Sequence, residues 1–240
     1  MPRGYMTDLF NFAGVTVEVR LEREPRTMTA TLTFYTNPMS RGRIVRWMLE
    51  EVGEPYETVL LDYDTTMKGA DYLAINPMGK VPAIRHGDTV VTEAAAICAY
   101  LADAFPDKGL APPSGHAKRG PYYRWLFFAA GPVEAAVTGK SLGLLAPADK
   151  KRMAGYGSFE ETIDALEQAI LPGPYICGEQ FTAADLYVGA QIGWGMMFGS
   201  IEKRPAFVEY SGRLQARPAA IRAREIDDAI IAEQKAGAPA

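Results

Sequence analysis

The sequence predicts an α/β domain followed by an all-helical domain. Three observations predict it. The first hundred residues run through strand, helix, strand, short helix, hairpin and helix patterns. Pro106 to Ser114, with three prolines and a glycine, is the clearest linker in the chain. Beyond it only helical spacing of apolar residues is found. The expected divisions are an N-terminal extension (1–28), an α/β domain (29–105), a linker (106–114) and a helical domain (115–240).

Composition bounds the function. The chain has 240 residues, enough for one or two compact domains with a real core. A net charge of −4 argues against a dedicated nucleic-acid surface. No apolar run approaches the roughly 20 residues of a membrane span. Two Cys and two His cannot build a Cys-rich zinc site or a disulfide framework, so no metal is expected. Cytoplasmic residence is the simplest reading.

The first 27 residues stand apart. Arg3 precedes a weakly apolar segment, Asp8 to Ala13. Val15, Val17, Val19 and Leu21 then alternate with polar residues, a period of two that predicts a short strand. Glu22 to Arg26 reads as a polar linker. The segment lacks the apolar core and cleavage site of a secretory signal, and its acids argue against a transit peptide. It is expected to be an extension ahead of the domain, with Met28 as a second start; a small accessory element is the alternative.

Thr31 to Thr36 reads as a strand, with Leu32, Phe34 and Tyr35 set among β-branched threonines. Asn37-Pro38 marks a turn. Ile44, Val45, Met48, Leu49 and Val52 follow helical spacing, and Gly53 ends that helix. Tyr56 to Leu61 is a second strand, so a parallel pair with a crossover is expected. A short helix near Gly69–Ile75 leads to Pro82, which lacks an N–H and belongs at a strand's first residue or an edge. Gly87-Asp88 turns the chain into Thr89-Val90-Val91, and Glu93 starts a helix running to Ala104.

Candidate helices in the second half lie near Lys118–Thr138, Asp149–Ile170, Thr182–Phe198, Pro205–Gln215 and Ala219–Lys235. Gly131-Pro132 should bend or split the first. Thr182 suits an N-cap with Asp185 as its N3 partner, close to a capping box, and Phe181 and Leu186 suit a hydrophobic staple.

Two motifs carry a resemblance. Val81-Pro82, the hairpin, Glu93 and its helix resemble the glutathione-binding half of the cytosolic glutathione transferases, bacterial-like. Gly178-x-x-x-Thr182-x-x-Asp185 resembles that family's start of its core helix. The resemblance begins at about Thr31. It implies a thioredoxin-like N-terminal domain with a cis Val81-Pro82 bond, and an all-α C-terminal domain carrying the electrophile site. It also implies a homodimeric enzyme that conjugates the glutathione thiolate to small hydrophobic electrophiles, a detoxification activity with glutathione as co-substrate and no other cofactor. Peroxide reduction, dehalogenation or isomerisation on the same scaffold is the enzymatic alternative; a non-catalytic binding module is the other.

The chemistry needs a thiolate. A free Cys thiol titrates near ~8.5, so lowering it by ~2 units stabilises the anion by roughly 2.7 kcal/mol. A hydroxyl donor and a helix N-terminus both do this. Ser40 sits where serine-type members keep their catalytic hydroxyl, with Asn37 and Thr36 as rival donors; a plain helix N-cap is the structural alternative for Ser40. Tyr35 is read as a packing residue. By resemblance, Val81 pairs with the cysteinyl backbone beside Pro82, and Glu93 faces the γ-glutamyl amine. Ala94 departs from the family's hydroxyl residue at that point and leaves only its backbone N–H. Arg41, Arg43 and Lys80 are candidate carboxylate partners, or else surface cations. Tyr122, Trp125 and Met197 are candidates for an apolar electrophile pocket, and Arg204 is a candidate to assist at the active site. Cys98, in an apolar helix stretch, reads as core, and Cys177 as structural.

Overall fold

The computed structural model describes residues 6–12, 15–21 and 31–237. The chain divides into two compact units, Met1–Ala30 and Thr31–Ala240. In the first, strand β1 (Met6–Phe12) pairs antiparallel with β2 (Val15–Leu21), the alternating segment. The weakly apolar stretch before it, not assigned from its sequence, is the other half of this hairpin. The polar linker at 22–26 and the junction at Met28 lie outside the described residues.

The second unit opens with β3 (Leu32–Thr36), α1 (Gly42–Val52), β4 (Glu57–Leu60) and α2 (Ala70–Leu73). The hairpin β5 (Ala83–His86) and β6 (Thr89–Thr92) and the helix α3 (Ala94–Ala104) follow. The sheet order is β4-β3-β5-β6, with β4 parallel to β3 and the other neighbours antiparallel. This is the thioredoxin-like arrangement. Helix α1 ends where Gly53 takes φ 70°, a left-handed cap that favours glycine. The Val81–Pro82 peptide is cis.

The helical half contains α4 (Arg119–Phe128), α5 (Glu134–Leu142), α6 (Phe159–Ile170), α7 (Ala183–Phe198), α8 (Pro205–Gln215) and α9 (Pro218–Ala236). Gly131-Pro132 falls in a π-type turn over Ala129–Val133 that separates α4 from α5. Because Pro132 has no N–H, a wider turn absorbs the missing bond. The helix expected from Asp149 is corrected. A 3₁₀ turn covers Ala148–Met153, Gly157 at φ 67° breaks the chain, and Ser158 starts α6 with a full capping box to Glu161. The apolar periodicity carried across this break without revealing it. Thr182 and Asp185 form the second capping box, and Asp185 also accepts from the Ile176 N–H at 2.6 Å and the Tyr210 hydroxyl at 2.8 Å.

Helix α1 joins the two halves. Its apolar face packs in the core with the sheet and α3, while its polar face meets α9 and the residue before it, Arg217, through five ion pairs: Arg43–Asp227, Arg43–Asp228, Arg46–Asp227, Glu51–Arg217 and Glu50–Arg222. Arg46 is buried, lies over the Phe34 and Tyr56 rings, and donates to Asp227, Tyr56 and Thr58. Among the described residues no helix is long and apolar enough to cross a membrane.

Candidate glutathione-binding cleft

The site starts at the turn that links β3 to α1. The Asn37 amide donates to the Leu61 carbonyl at 2.8 Å, and its Oδ1 accepts from the Met39 N–H at 2.9 Å. This Asx-turn fixes the loop and commits the Asn37 amide. Thr36 is buried, and Gly42 comes so close that a Cβ there would lie 1.9 Å from Thr36 Oγ1. Of the three rival donors only Ser40 is partly exposed. Its hydroxyl donates to the Asn37 carbonyl at 2.6 Å and accepts from the Gly42 N–H at 2.9 Å. In this state Ser40 is a cap for α1.

A second loop, 76–81, faces it. The Asn76 side chain accepts from the Met78 N–H and donates to the Lys80 carbonyl at 2.8 Å. The Tyr72 hydroxyl reaches the same carbonyl at 2.6 Å, and Lys68 Nζ donates to the Gly79 carbonyl at 2.6 Å. Burial pushes the Tyr72 phenol up to about 12, so it remains a donor at any ordinary pH. These three side chains, through four hydrogen bonds, set the backbone that enters Val81-Pro82.

Glu93 closes this side. It has φ 68° and ψ 118°, the one non-glycine at positive φ among the described residues, and its side chain is exposed with no ion-pair partner among them. Such backbone costs of order 1–3 kcal/mol and concentrates at functional sites. It puts Glu93 at the N-cap position of α3, where its side chain makes no capping hydrogen bond and the N–H groups of Ala94 and Ala95 are left open.

Arg41, Lys80, Val81, Pro82, Glu93 and Ala94 together line one cavity of about 340 Å³. The helical half supplies its other wall with Ala130, Glu134 and Tyr187. Arg41 bridges to Glu134, which also accepts from Thr138 at 3.2 Å and Gln191 at 3.4 Å. Burial pushes the Tyr187 phenol up to about 12.

Thr36, Asn37 and Ser40 lie at the end of β3 and in the turn before Arg41, and do not line this cavity. The remaining candidates lie elsewhere. Tyr122 is fully buried in the core, and Trp125 packs edge-on to Phe128 with Arg124 over its face. Met197 is exposed and lines a separate cavity of about 410 Å³ with Trp47 and Trp194, between α1, α7, α8 and α9. The structure does not bring these three together. Arg43 also lines that second cavity. Arg204 is held by Asp164 at 2.7 Å and Glu167 at 2.8 Å on α6, and lines neither cavity. Cys98 is buried in α3, which raises its thiol, and partial burial pushes Cys177 up to about 11. Neither is an activated nucleophile. No group of three or more His, Cys, Asp or Glu side chains suited to a metal ion occurs among the described residues.

Sequence reasoning missed Glu134, Tyr187, Ala130, Asn76 and Lys68. The one signal for Glu134 was its place just past the Gly131-Pro132 break; helical periodicity does not tell which polar residue looks into a cleft.

Comparison with known proteins fits this geometry. Residues 39–104 match the family model for the glutathione S-transferase N-terminal domain, and residues 143–194 match that for its C-terminal domain. Glutathione S-transferase GstA of Escherichia coli O157:H7 is 30% identical over 194 residues, covering 77% of this chain and 90% of that protein. A crystal structure of a glutathione transferase from Methylococcus capsulatus str. Bath superposes with TM-score 0.69 at 31% identity, over 82% of this chain and 99% of that one. A sphingomonad glutathione S-transferase complexed with glutathione gives TM-score 0.67 at 29% identity, over 82% and 98%. Fold, cleft and sequence agree, and the chain belongs to the glutathione S-transferase family.

Proposed function

We propose that this chain conjugates the glutathione thiolate to small apolar electrophiles. The observation that carries the reading is the single cavity lined by Arg41, Lys80, Val81, Pro82, Glu93 and Ala94. Glutathione presents two carboxylates, one ammonium and a peptide backbone. The cavity offers two cations, one exposed acid, the backbone of Val81 beside the cis Pro82 and the N-terminus of α3. Ala94 keeps the helix N–H but lacks a hydroxyl, so one hydrogen bond of ~1.5–3 kcal/mol is missing relative to the family pattern.

In the reaction the thiol proton leaves to solvent and the thiolate attacks the electrophilic carbon. The sulfur–carbon bond forms as the leaving group departs with its electron pair. Holding both reactants in one cleft supplies proximity. Ser40 is the proposed thiolate donor. Its hydrogen must leave the Asn37 carbonyl, exchanging a neutral hydrogen bond of about 1 kcal/mol for a charge-assisted one of about 1.5–3 kcal/mol. The exchange is favourable, and the Gly42 N–H on Ser40 Oγ polarises the hydroxyl toward donating. A homodimer acting in cytoplasmic detoxification is the setting that the family resemblance supplies.

Calorimetry with glutathione, and turnover of 1-chloro-2,4-dinitrobenzene, test the reading. Glu93→Gln should weaken glutathione binding roughly 10-fold or more, the loss of one charge-assisted contact, with little change in melting temperature. Unchanged affinity would remove Glu93 from the site.

A further inference from the structure

We propose that Glu134 sets the charge preference for the second substrate. Its carboxylate, uncovered when glutathione draws Arg41 away, favours neutral or cationic electrophiles over anionic ones. The inference rests on the glutathione-conjugation reading above.

The charges in the cleft carry it. Its wall holds two cations, Arg41 and Lys80, and two acids, Glu93 and Glu134. Lys80 and Glu93 are exposed and have no ion-pair partner among the described residues. Arg41 is engaged, by Glu134. Glutathione brings two carboxylates and one ammonium, and the ammonium matches Glu93. The N-terminus of α3 offers one carboxylate only about half a unit of positive charge, so neutralising both still draws on Arg41 and Lys80. Arg41 must therefore change partners. The side chains of Arg41 and Glu134 are 47% and 30% exposed, so their pair sits partly in water, where such pairs are weak and exchange readily.

After the exchange Glu134 remains an anion. Two neutral donors still hold it, Thr138 Oγ1 and Gln191 Nε2, at 3.2 and 3.4 Å. These contacts are long and leave lone pairs open. Glu134 stands on α5, on the helical wall, facing the groups of the α/β half that take glutathione. A second substrate that reaches the thiolate from the helical side meets Ala130, Tyr187 and this carboxylate. An anionic electrophile is repelled there; a neutral or cationic one is not. Glu134 acts on the approach of the substrate and makes or breaks no bond.

The test compares a neutral aryl chloride, 1-chloro-2,4-dinitrobenzene, with an anionic one, 4-chloro-3-nitrobenzoate. Each loses chloride to the thiolate. The readout is the ratio of kcat/KM for the anionic over the neutral substrate, which cancels any general damage from a substitution. Glu134→Gln should raise that ratio roughly 10-fold, the effect of removing one like charge from partly screened surroundings. Glu134→Asp, which keeps the charge, should retain the wild-type ratio. Raising salt from about 0.02 M to about 0.5 M should raise the wild-type ratio as the repulsion is screened. A ratio unchanged in Glu134→Gln overturns the inference while the conjugation reading stands. If Glu134→Gln does not fold, the wild-type salt series decides, and a salt-independent ratio overturns it. A wild-type chain that binds no glutathione overturns the conjugation reading and this inference together.

Discussion

At Ser40 two roles meet on one oxygen. The hydroxyl caps α1 through Gly42 and hands its hydrogen to the Asn37 carbonyl, and the same hydrogen is the proposed donor to the thiolate. Ser40→Ala should leave glutathione bound but raise the pKa of its thiol in the complex. The net gain of exchanging the Asn37 carbonyl for the thiolate, ~0.5–2 kcal/mol, corresponds to roughly 0.4–1.5 pH units, or about 2- to 30-fold in rate near neutral pH. The sign follows from the thiolate fraction. The variant's pH–rate curve moves to higher pH, and the deficit closes once the pH exceeds the raised pKa. A pH–rate profile of Ser40→Ala beside Thr36→Val and Asn37→Ala is the check. A wild-type profile for Ser40→Ala would leave Ser40 as a cap alone. Asn37→Ala should damage folding, because its amide ties the loop to Leu61.

The element with most at stake is α1, and its hold on α9 runs through Arg46 and Asp227. Both are buried, and burial lifts the Asp227 carboxyl above the usual carboxylate range while Arg46 pulls it back. Removing one partner strands the other charge away from water. Asp227→Ala should therefore cost roughly 3–5 kcal/mol, on the order of 10 °C in Tm for a chain of this size. Replacing both residues with apolar side chains of similar volume should recover most of it. Thermal melts of the single and double variants test this, and a silent Asp227→Ala would show that the pair does not fasten α9. None of this was legible beforehand. Arg46 sits among apolar neighbours in α1, but only the fold reveals that a residue 181 positions away meets it. What was legible had local causes. Gly53 ends α1, Thr182 and Asp185 cap α7, and Gly131-Pro132 interrupts the α4–α5 run, each through chemistry contained within a few residues. Five of the residues that line the cavity, Lys80 to Ala94, could be named because the Val81-Pro82 and Glu93 pattern is local, and Arg41 was named from the loop after the first strand. Tyr122, Trp125 and Met197 were grouped by side-chain type, and helical spacing does not reveal whether an apolar face meets the core, a cleft or a second cavity. The false helix over 149–158 has the same origin, since lysines and a methionine of good helix propensity precede the two glycines that break it.

For the molecule as a whole, every residue lining the proposed glutathione cleft lies beyond Thr31. A chain beginning at Met28 is expected to fold and to keep its activity. Melting and turnover beside the full chain check this, and loss of solubility would show that the β1–β2 hairpin supports the rest. The other end should behave differently. A chain stopped after Gln215 lacks α9 and leaves Glu50, Glu51 and buried Arg46 of α1 without their ionic partners. That chain is expected to be insoluble, and fractionation of the expressed product is the measurement.

The α1–α9 contact also orders events during synthesis on the ribosome. The α/β half emerges first, yet Arg46 waits 181 residues for Asp227. At about 5–20 residues per second this is a delay of roughly 10–35 s. Until then the polar face of α1 is open and a guanidinium destined for the interior remains hydrated. The nascent α/β half is therefore kept short of its final state until α9 has emerged, and docking of α9 is the step that completes the ionic contacts of α1.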